Sequence, residues 1–409
     1  MKLHQKIFLL LVLLLPVQLG RHFWPSWSYV MGLRVDYLSP TIYLTDILVF
    51  GILLFWLVEK FQINELRITN YELRRHWWVL AFFVFLLLNC FFAQNQGVAI
   101  YKFIKIIEFA LLGFYVAKNS YVLRVTCYVL PWAVVYSSLI AITQFLKQAS
   151  LNGVFYWLGE RTFNVATPGI AKIDFFGRLL MRPYATFPHP NVLAGFVLVA
   201  FILSAPFVYK KNKLLFTFYF LLFTFVLVFS FSRSAWIVGF LVFWFWFFQK
   251  KLRLWQKQIL LLFFFLLPFL YLIRFSNFPE EAFIQRIKLG EIALQLIKES
   301  PLIGFGLNNF VVRLPEFWQG PTFLLQPVHN IYLLIAAETG LIGLLIFLWF
   351  LFLTYKRLIT DHYSLFTALS AILALGLFDH YWLTLQQTQL LFAIVLGLSW
   401  GVKRAKIDL

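Results

Sequence analysis

The sequence predicts an all-α membrane protein of about twelve spanning helices, on three observations. First, 62% of its 409 residues are hydrophobic and the mean hydropathy is +0.81. Second, only 13% are charged, where a soluble domain carries about 25%; water cannot solvate such a surface, whereas lipid can. Third, apolar runs near the roughly 20 residues a bilayer requires recur along the whole chain.

The runs fall near 6–20, 41–58, 77–92, 98–117, 121–146, 191–209, 213–229, 233–249, 258–275, 329–354, 365–378 and 386–400. The first reads as an anchor and not a signal peptide. Lys2 and Lys6 precede its leucines, but Gly20-Arg21-His22 gives no small-residue cleavage site. Basic residues set the sides. With the N-terminus in the cytoplasm, Lys60, Lys118, Lys210, Lys211, Lys213, Lys356 and Arg357 fall in short cytoplasmic segments, as do the charges around 67–75, 250–257 and 403–406. The short outer loops hold only Arg21, Arg34 and Arg233. This asymmetry accounts for the net charge of +18. It places both termini inside a plasma (inner) membrane and excludes a nucleic-acid partner, which needs a soluble basic face. Cys90 and Cys127 lie within apolar runs and read as core thiols.

Residues 1–146 read as N-terminal spans, 147–400 as the core and 401–409 as a cytoplasmic tail. Two long connections, 147–190 and 276–328, fall outside. Loops of this length are commonly functional or disordered, and the aromatic and aliphatic content of both argues against disorder. From Glu281 to Glu299, Phe283, Ile284, Ile287, Ile292, Leu296 and Ile297 recur at the spacing of an amphipathic helix, which Ser300-Pro301 ends.

Four outer segments break the apolar pattern: Arg182 to Asn191 with His189, Ser230 to Trp236 with Ser232 and Arg233, Pro301 to Phe310 with Gly304 and Gly306, and His329-Asn330-Ile331-Tyr332 followed by Glu338 and Gly340. Three of them open spans that run inward. Their helix N-termini therefore face out together, each with unpaired N–H groups and a partial positive charge. Asn191, Ser232 and Asn330 are candidate N-caps. Arginines gathered at positive helix ends call for an anion, and phosphate is the usual one. Each residue also has a plainer reading: Arg233 as an arginine snorkelling to headgroups, His329 as the cap of its own helix, and the glycines as turn formers. Lys102, Lys105 and Glu108 lie on one face of the fourth span, as an internal ion pair or a functional group. Asp379-His380 in the last outer loop either joins the site or solvates the loop. His189, His329, Asp379 and His380 are metal-ligand types, but no pair has the close spacing of a helical metal motif and arginines surround them; no metal and no cofactor is expected.

In this order, R-P-Y-A-T-F-P-H-P-N-V-L-A-G, S-F-S-R-S-A-W, the segment from Gln285 to Phe310 and V-H-N-I-Y-L-L-I-A-A-E-T-G-L-I-G resemble the O-antigen ligase and polymerase family of bacterial membrane proteins, over about Arg182 to Gly343. The resemblance implies a GT-C-like, metal-independent, inverting transferase. It moves a glycan from undecaprenyl diphosphate to an acceptor hydroxyl on a glycan, lipid or protein. It also implies that Arg182 and Arg233 bind the diphosphate and that His329 is the base; Asn191 and Ser232 at the helix starts are candidate donor ligands beside the arginines, and His189, Asn330, Tyr332, Asp379 and His380 are further candidates for the site. Ligase, polymerase and protein glycosyltransferase stay open. A lipid-linked glycan transporter is the competing class; it would place charges near the midplane in repeated, broken helices.

Overall fold

The computed structural model describes residues 1–62, 77–119, 121–175, 177–249, 280–317, 325–358 and 362–401. Fourteen helices are used here: α1 (Leu3–Leu13), α2 (Leu44–Gln62), α3 (Trp77–Phe92), α4 (Gln96–Lys118), α5 (Tyr121–Lys147), α6 (Pro190–Lys211), α7 (Lys213–Phe229), α8 (Arg233–Gln249), α9 (Glu280–Glu299), α10 (Phe310–Arg313), α11 (Ile331–Leu358), α12 (Tyr363–Leu375), α13 (Tyr381–Thr384) and α14 (Gln386–Gly401). The chain is mostly helical, as expected of an all-α membrane protein. Three small antiparallel hairpins accompany them, pairing β1 (Gly20–His22) with β4 (Thr41–Tyr43), β2 (Tyr29–Val30) with β3 (Leu33–Arg34), and β5 (Lys172–Phe175) with β6 (Arg178–Met181).

Every apolar run read from the sequence falls on a described helix except 258–275, which lies outside the described residues. Among the described residues α5, α6 and α11 are long and apolar enough to cross a membrane; α1, α3, α7, Arg233–Phe245 of α8 and α12 are apolar but shorter. The first run was expected to be helical to residue 20. It stops at Leu13 because Pro16 follows, and proline cannot donate to the helix ladder. The Pro16 carbonyl instead accepts from Thr186 Oγ1 at 2.6 Å and Gln387 Nε2 at 2.8 Å.

α6 is apolar on every face, which marks a helix surrounded by protein; it is buried without interruption from Val192 to Ala205. Phe201 shows how phenylalanine is used there: its ring stacks on Phe223 at 4.1 Å and 16°. Around this axis α5, α7 and α12 pack, and α4 packs along α14. Elsewhere large apolar side chains face outward, such as Ile47, Phe50 and Leu54 of α2.

Contacts sort the helix termini into two groups. At one end Lys2 meets Glu59 at 2.5 Å, His4 meets Tyr115 at 2.8 Å, and Trp400 meets Thr354 at 3.0 Å and the Arg357 guanidinium. At the other end meet the starts of α6, α8 and α11 and the ends of α3, α7 and α12, through contacts described below, and the start of α4, where Asn95 N–H donates to Asn309 Oδ1 at 2.8 Å. The lysine-rich termini and the polar motifs thus occupy opposite ends of one bundle.

α9 covers the residues expected for the amphipathic helix and ends as Ser300-Pro301 requires. Its buried face is Leu289, Ile292, Ala293 and Leu296, whereas Phe283, Ile284 and Ile287 are exposed. Half of the expected apolar face therefore packs on protein, and half does not. After α9 the chain threads against a break in α11. Gly340 has φ 67° and ψ −176°, outside helical geometry. The carbonyls freed at the break accept the N–H groups of Phe305 (from Ala337, 3.0 Å) and Gly306 (from Glu338, 2.9 Å), while Leu341 N–H donates to Pro301 at 2.8 Å. Such a break within an apolar bundle requires replacement partners. Gly304 and Gly306 form more than a turn: a Cβ on Gly304 would lie 2.4 Å from the Glu338 backbone and one on Gly306 2.2 Å from Ala93 Cβ. Asn89 of α3 clamps the arrangement, donating to Ile303 and Glu338 carbonyls and accepting from Leu307 N–H at 2.8 Å.

Candidate functional site at the polar end of the bundle

The first long loop is folded. Glu160 accepts the backbone N–H groups of Leu151 and Asn152 at 2.7 Å each, and Gln144 accepts those of Tyr184 and Ala185. This loop delivers Arg182 to the bundle end, where its Nε donates to the Ser230 carbonyl at 2.6 Å and its Nη2 to Asn191 Oδ1 at 2.7 Å. The fork therefore bridges the start of α6 and the turn between α7 and α8. That turn closes in three residues because Phe231 adopts φ 50°, a left-handed conformation uncommon away from glycine. Arg233 opens α8 just beyond it and is partly buried. Ser232 is buried, supplies the carbonyl that Trp236 N–H meets at 3.0 Å, and lies 3.4 Å from Ser234 Oγ.

The expected caps divide. Asn330 caps α11, its Oδ1 accepting Tyr332 and Leu333 N–H at 2.9 and 3.0 Å. Asn191 does not cap α6. Pro190 takes the first helical position, and the His189 imidazole accepts Asn191 N–H at 3.1 Å. That leaves the Asn191 side chain to accept Arg182 and to reach Asp379 Oδ2 at 3.5 Å. His329, one residue before the cap, caps nothing: its Nδ1 is buried without a hydrogen-bond partner. Tyr332 points away from the motif, its hydroxyl donating to the Leu373 carbonyl at 3.1 Å, and so holds α11 against α12.

Asp379 and His380 join the site. The His329 and His380 rings are 5.2 Å apart at 68°, and ligand-type atoms of His329, Asp379 and His380 all lie within 4.8 Å of one another. Sequence spacing showed no metal motif, yet the fold brings together a trio able to hold one. Asp379 Oδ1 accepts His380 N–H at 2.9 Å. Burial is the main cause that lowers all three histidines: His189 and His380 fall to about 3, and His329 falls below its ordinary value although Asp379 opposes the shift. Burial alone would raise Asp379, but His329, His380 and Arg286 outweigh it and hold the carboxyl below the usual range. The imidazoles are therefore neutral at neutral pH.

Two contributors were not singled out from the sequence. Arg286, on the exposed side of α9, donates to the Phe378 carbonyl at 3.4 Å and bears electrostatically on His189, His329, Asp379 and His380. Tyr37, from the N-terminal hairpins, sets its ring edge-on to His380 at 5.4 Å and through its carbonyl accepts Asn308 Nδ2 at 2.8 Å. The intramembrane charges divide. Lys105 pairs with Asp46 at 2.7 Å and Glu108 at 2.6 Å, which is the internal-pair reading with one more partner. Lys102 donates to the Leu383 carbonyl, beside the segment that carries His380.

A helical membrane protein with an arginine- and histidine-lined polar site at one end of its bundle is thus defined. Residues 218–348 match the family model described as O-antigen ligase, and the match supports assigning the chain to that family. It spans Arg233, Arg286, His329 and the break at Gly340, while Arg182, His189, Asn191, Asp379 and His380 lie outside it. No curated protein matches the chain.

Proposed function

We propose that this protein is an O-antigen-ligase-like glycosyltransferase that moves a glycan from undecaprenyl diphosphate to an acceptor hydroxyl at the extracytoplasmic face of the plasma membrane. The observation that carries the reading is the convergence of Arg182, the α8 start with Arg233, and His329 at one end of the bundle, within and beside the O-antigen ligase match. Diphosphate is the leaving group of such a transfer, and guanidinium groups fixed by hydrogen bonds stabilise the charge that develops on it. A buried neutral imidazole takes the proton of the acceptor hydroxyl. Attack from the side opposite the diphosphate inverts the anomeric centre. No step is left to a metal or a cofactor. Twelve spans in a GT-C-like arrangement, with the lysine-rich end cytoplasmic, complete the reading.

A polymerase or a protein O-oligosaccharyltransferase would use the same chemistry with a different acceptor. A lipid-linked glycan transporter is favoured by one feature, the break of α11 at Gly340 beside buried Glu338; the gathering of arginines and histidines at one end favours the enzyme. The test is transfer by the purified full-length protein from a carrier-diphosphate glycan to lipid, glycan or protein acceptors. Carrier diphosphate released in step with product supports the proposal. Carrier movement across vesicles without bond cleavage would establish the transporter instead.

A further inference from the structure

The geometry points to a zinc-class divalent cation site formed by His329, Asp379 and His380, whose occupation blocks the proposed base. The binding claim stands apart from the transferase reading; only the inhibition rests on it.

Three features build the site. The ligand-type atoms of the trio lie within 4.8 Å of one another, whereas donors around a tetrahedral zinc at about 2.0–2.1 Å stand roughly 3.3–3.5 Å apart. The cluster therefore gathers its donors to within about 1.5 Å of that spacing. Each donor already has the form a metal needs. His380 Nδ1 and the Thr384 hydroxyl share a hydrogen bond at 2.7 Å, and the hydroxyl also meets the His380 carbonyl at 3.2 Å; in the tautomer with Nδ1 protonated, the lone pair lies on Nε2. Holding a ligating histidine by its other nitrogen is the usual supporting contact of a metal site. Asp379 is held by His380 N–H at 2.9 Å and Asn191 Nδ2 at 3.5 Å. Third, His329 Nδ1 is buried without a hydrogen-bond partner, and a buried polar atom left in that state has a ligand to gain. Asp379 offsets part of a dication's charge, and Arg286 is engaged with the Phe378 carbonyl on the exposed side of its helix. Two imidazoles and one carboxylate leave a fourth position open, and they select zinc or cobalt over magnesium or calcium.

Bound metal takes the lone pair that the base needs, so zinc inhibits and a chelator restores transfer. The test uses the full-length protein in detergent and cobalt(II) as the probe. One equivalent should give the visible absorption of a tetrahedral site, zinc should displace it, and magnesium should not. His380→Gln, which keeps a polar side chain of similar reach, should abolish the spectrum. Thr384→Ala, which removes the hydroxyl that holds the His380 ring, should weaken binding by roughly 10–100-fold. Zinc should also raise the melting temperature of the wild type and not that of His380→Gln, so a poorly folding variant is recognised by its own melt. Absence of a cobalt spectrum in the wild type, or an unchanged one in a folded His380→Gln, overturns the site. Zinc binding without loss of transfer overturns the inhibition and leaves the site standing. Failure of transfer in chelator-treated protein counts against the transferase reading and not against the metal.

Discussion

His329 carries two readings in the sequence, base and helix cap, and Asn330 separates them. Because Asn330 Oδ1 takes both N–H groups at the start of α11, removing His329 leaves the cap intact. Asn330→Ala should instead cost about 0.5–2 kcal/mol of stability, read as a lowered melting temperature; an unchanged melt would show that the cap contributes little. Arg182 reads in the sequence as a candidate anion ligand because a cation before a helix N-terminus is out of place without one. Its use as a bridge between Ser230 and Asn191 was not legible, since those partners lie 48 and 9 residues away. A lysine cannot span two such acceptors with a planar fork. Arg182→Lys is therefore expected to lower donor affinity and transfer at least tenfold while the protein still folds, measured by carrier-diphosphate binding and turnover. Wild-type values for both would remove Arg182 from the site. Asn191 was misassigned as a cap because Pro190 and the His189 imidazole satisfy the α6 start between them.

At the scale of elements, the apolar runs were readable because lipid admits only long, internally bonded helices. The exceptions have local causes: Pro16 shortens α1, and Gly340 breaks α11. The break is legible only as a glycine. Its partner segment, Pro301 to Gly306, is fixed by tertiary backbone pairing that spacing does not encode. Arg286 was hidden for the same reason, being one polar residue on a helix whose docking decides where it points. The break yields a prediction with its own control. A Cβ on Gly340 would meet the Leu302 carbonyl oxygen at 2.1 Å at a φ of 67°, so Gly340→Ala should sharply reduce folded protein. Gly290, half-buried in the middle of α9, has open space where a Cβ would stand, and Gly290→Ala should be neutral or stabilising by up to about 1 kcal/mol. Equal melting temperatures for the two variants would mean that the threaded segment does not constrain α11.

Across the whole molecule, the two ends of the bundle carry different groups, the chain termini at one and the arginine- and histidine-bearing segments at the other. Lys213 opens α7 at the lysine-rich end, and Arg178 lies on the exposed β5–β6 hairpin. An impermeant thiol reagent applied from outside should label Arg178→Cys and not Lys213→Cys; the reverse pattern would invert the topology and remove the site from the extracytoplasmic face. The histidine–aspartate trio belongs to this scale too. Its members come from two segments 50 residues apart, and only the packing of α11 on α12 brings them together.

The central claim is that His329 takes the acceptor's proton beside an arginine-held diphosphate, and His329→Asn tests it most directly. Donor binding, melting temperature and glycan transfer are measured on the same purified full-length preparation. Near-wild-type binding and melting are expected, with turnover lowered by roughly 10²–10⁴-fold, the usual contribution of general acid–base catalysis. A well-folded His329→Asn protein that transfers glycan at the wild-type rate would contradict it.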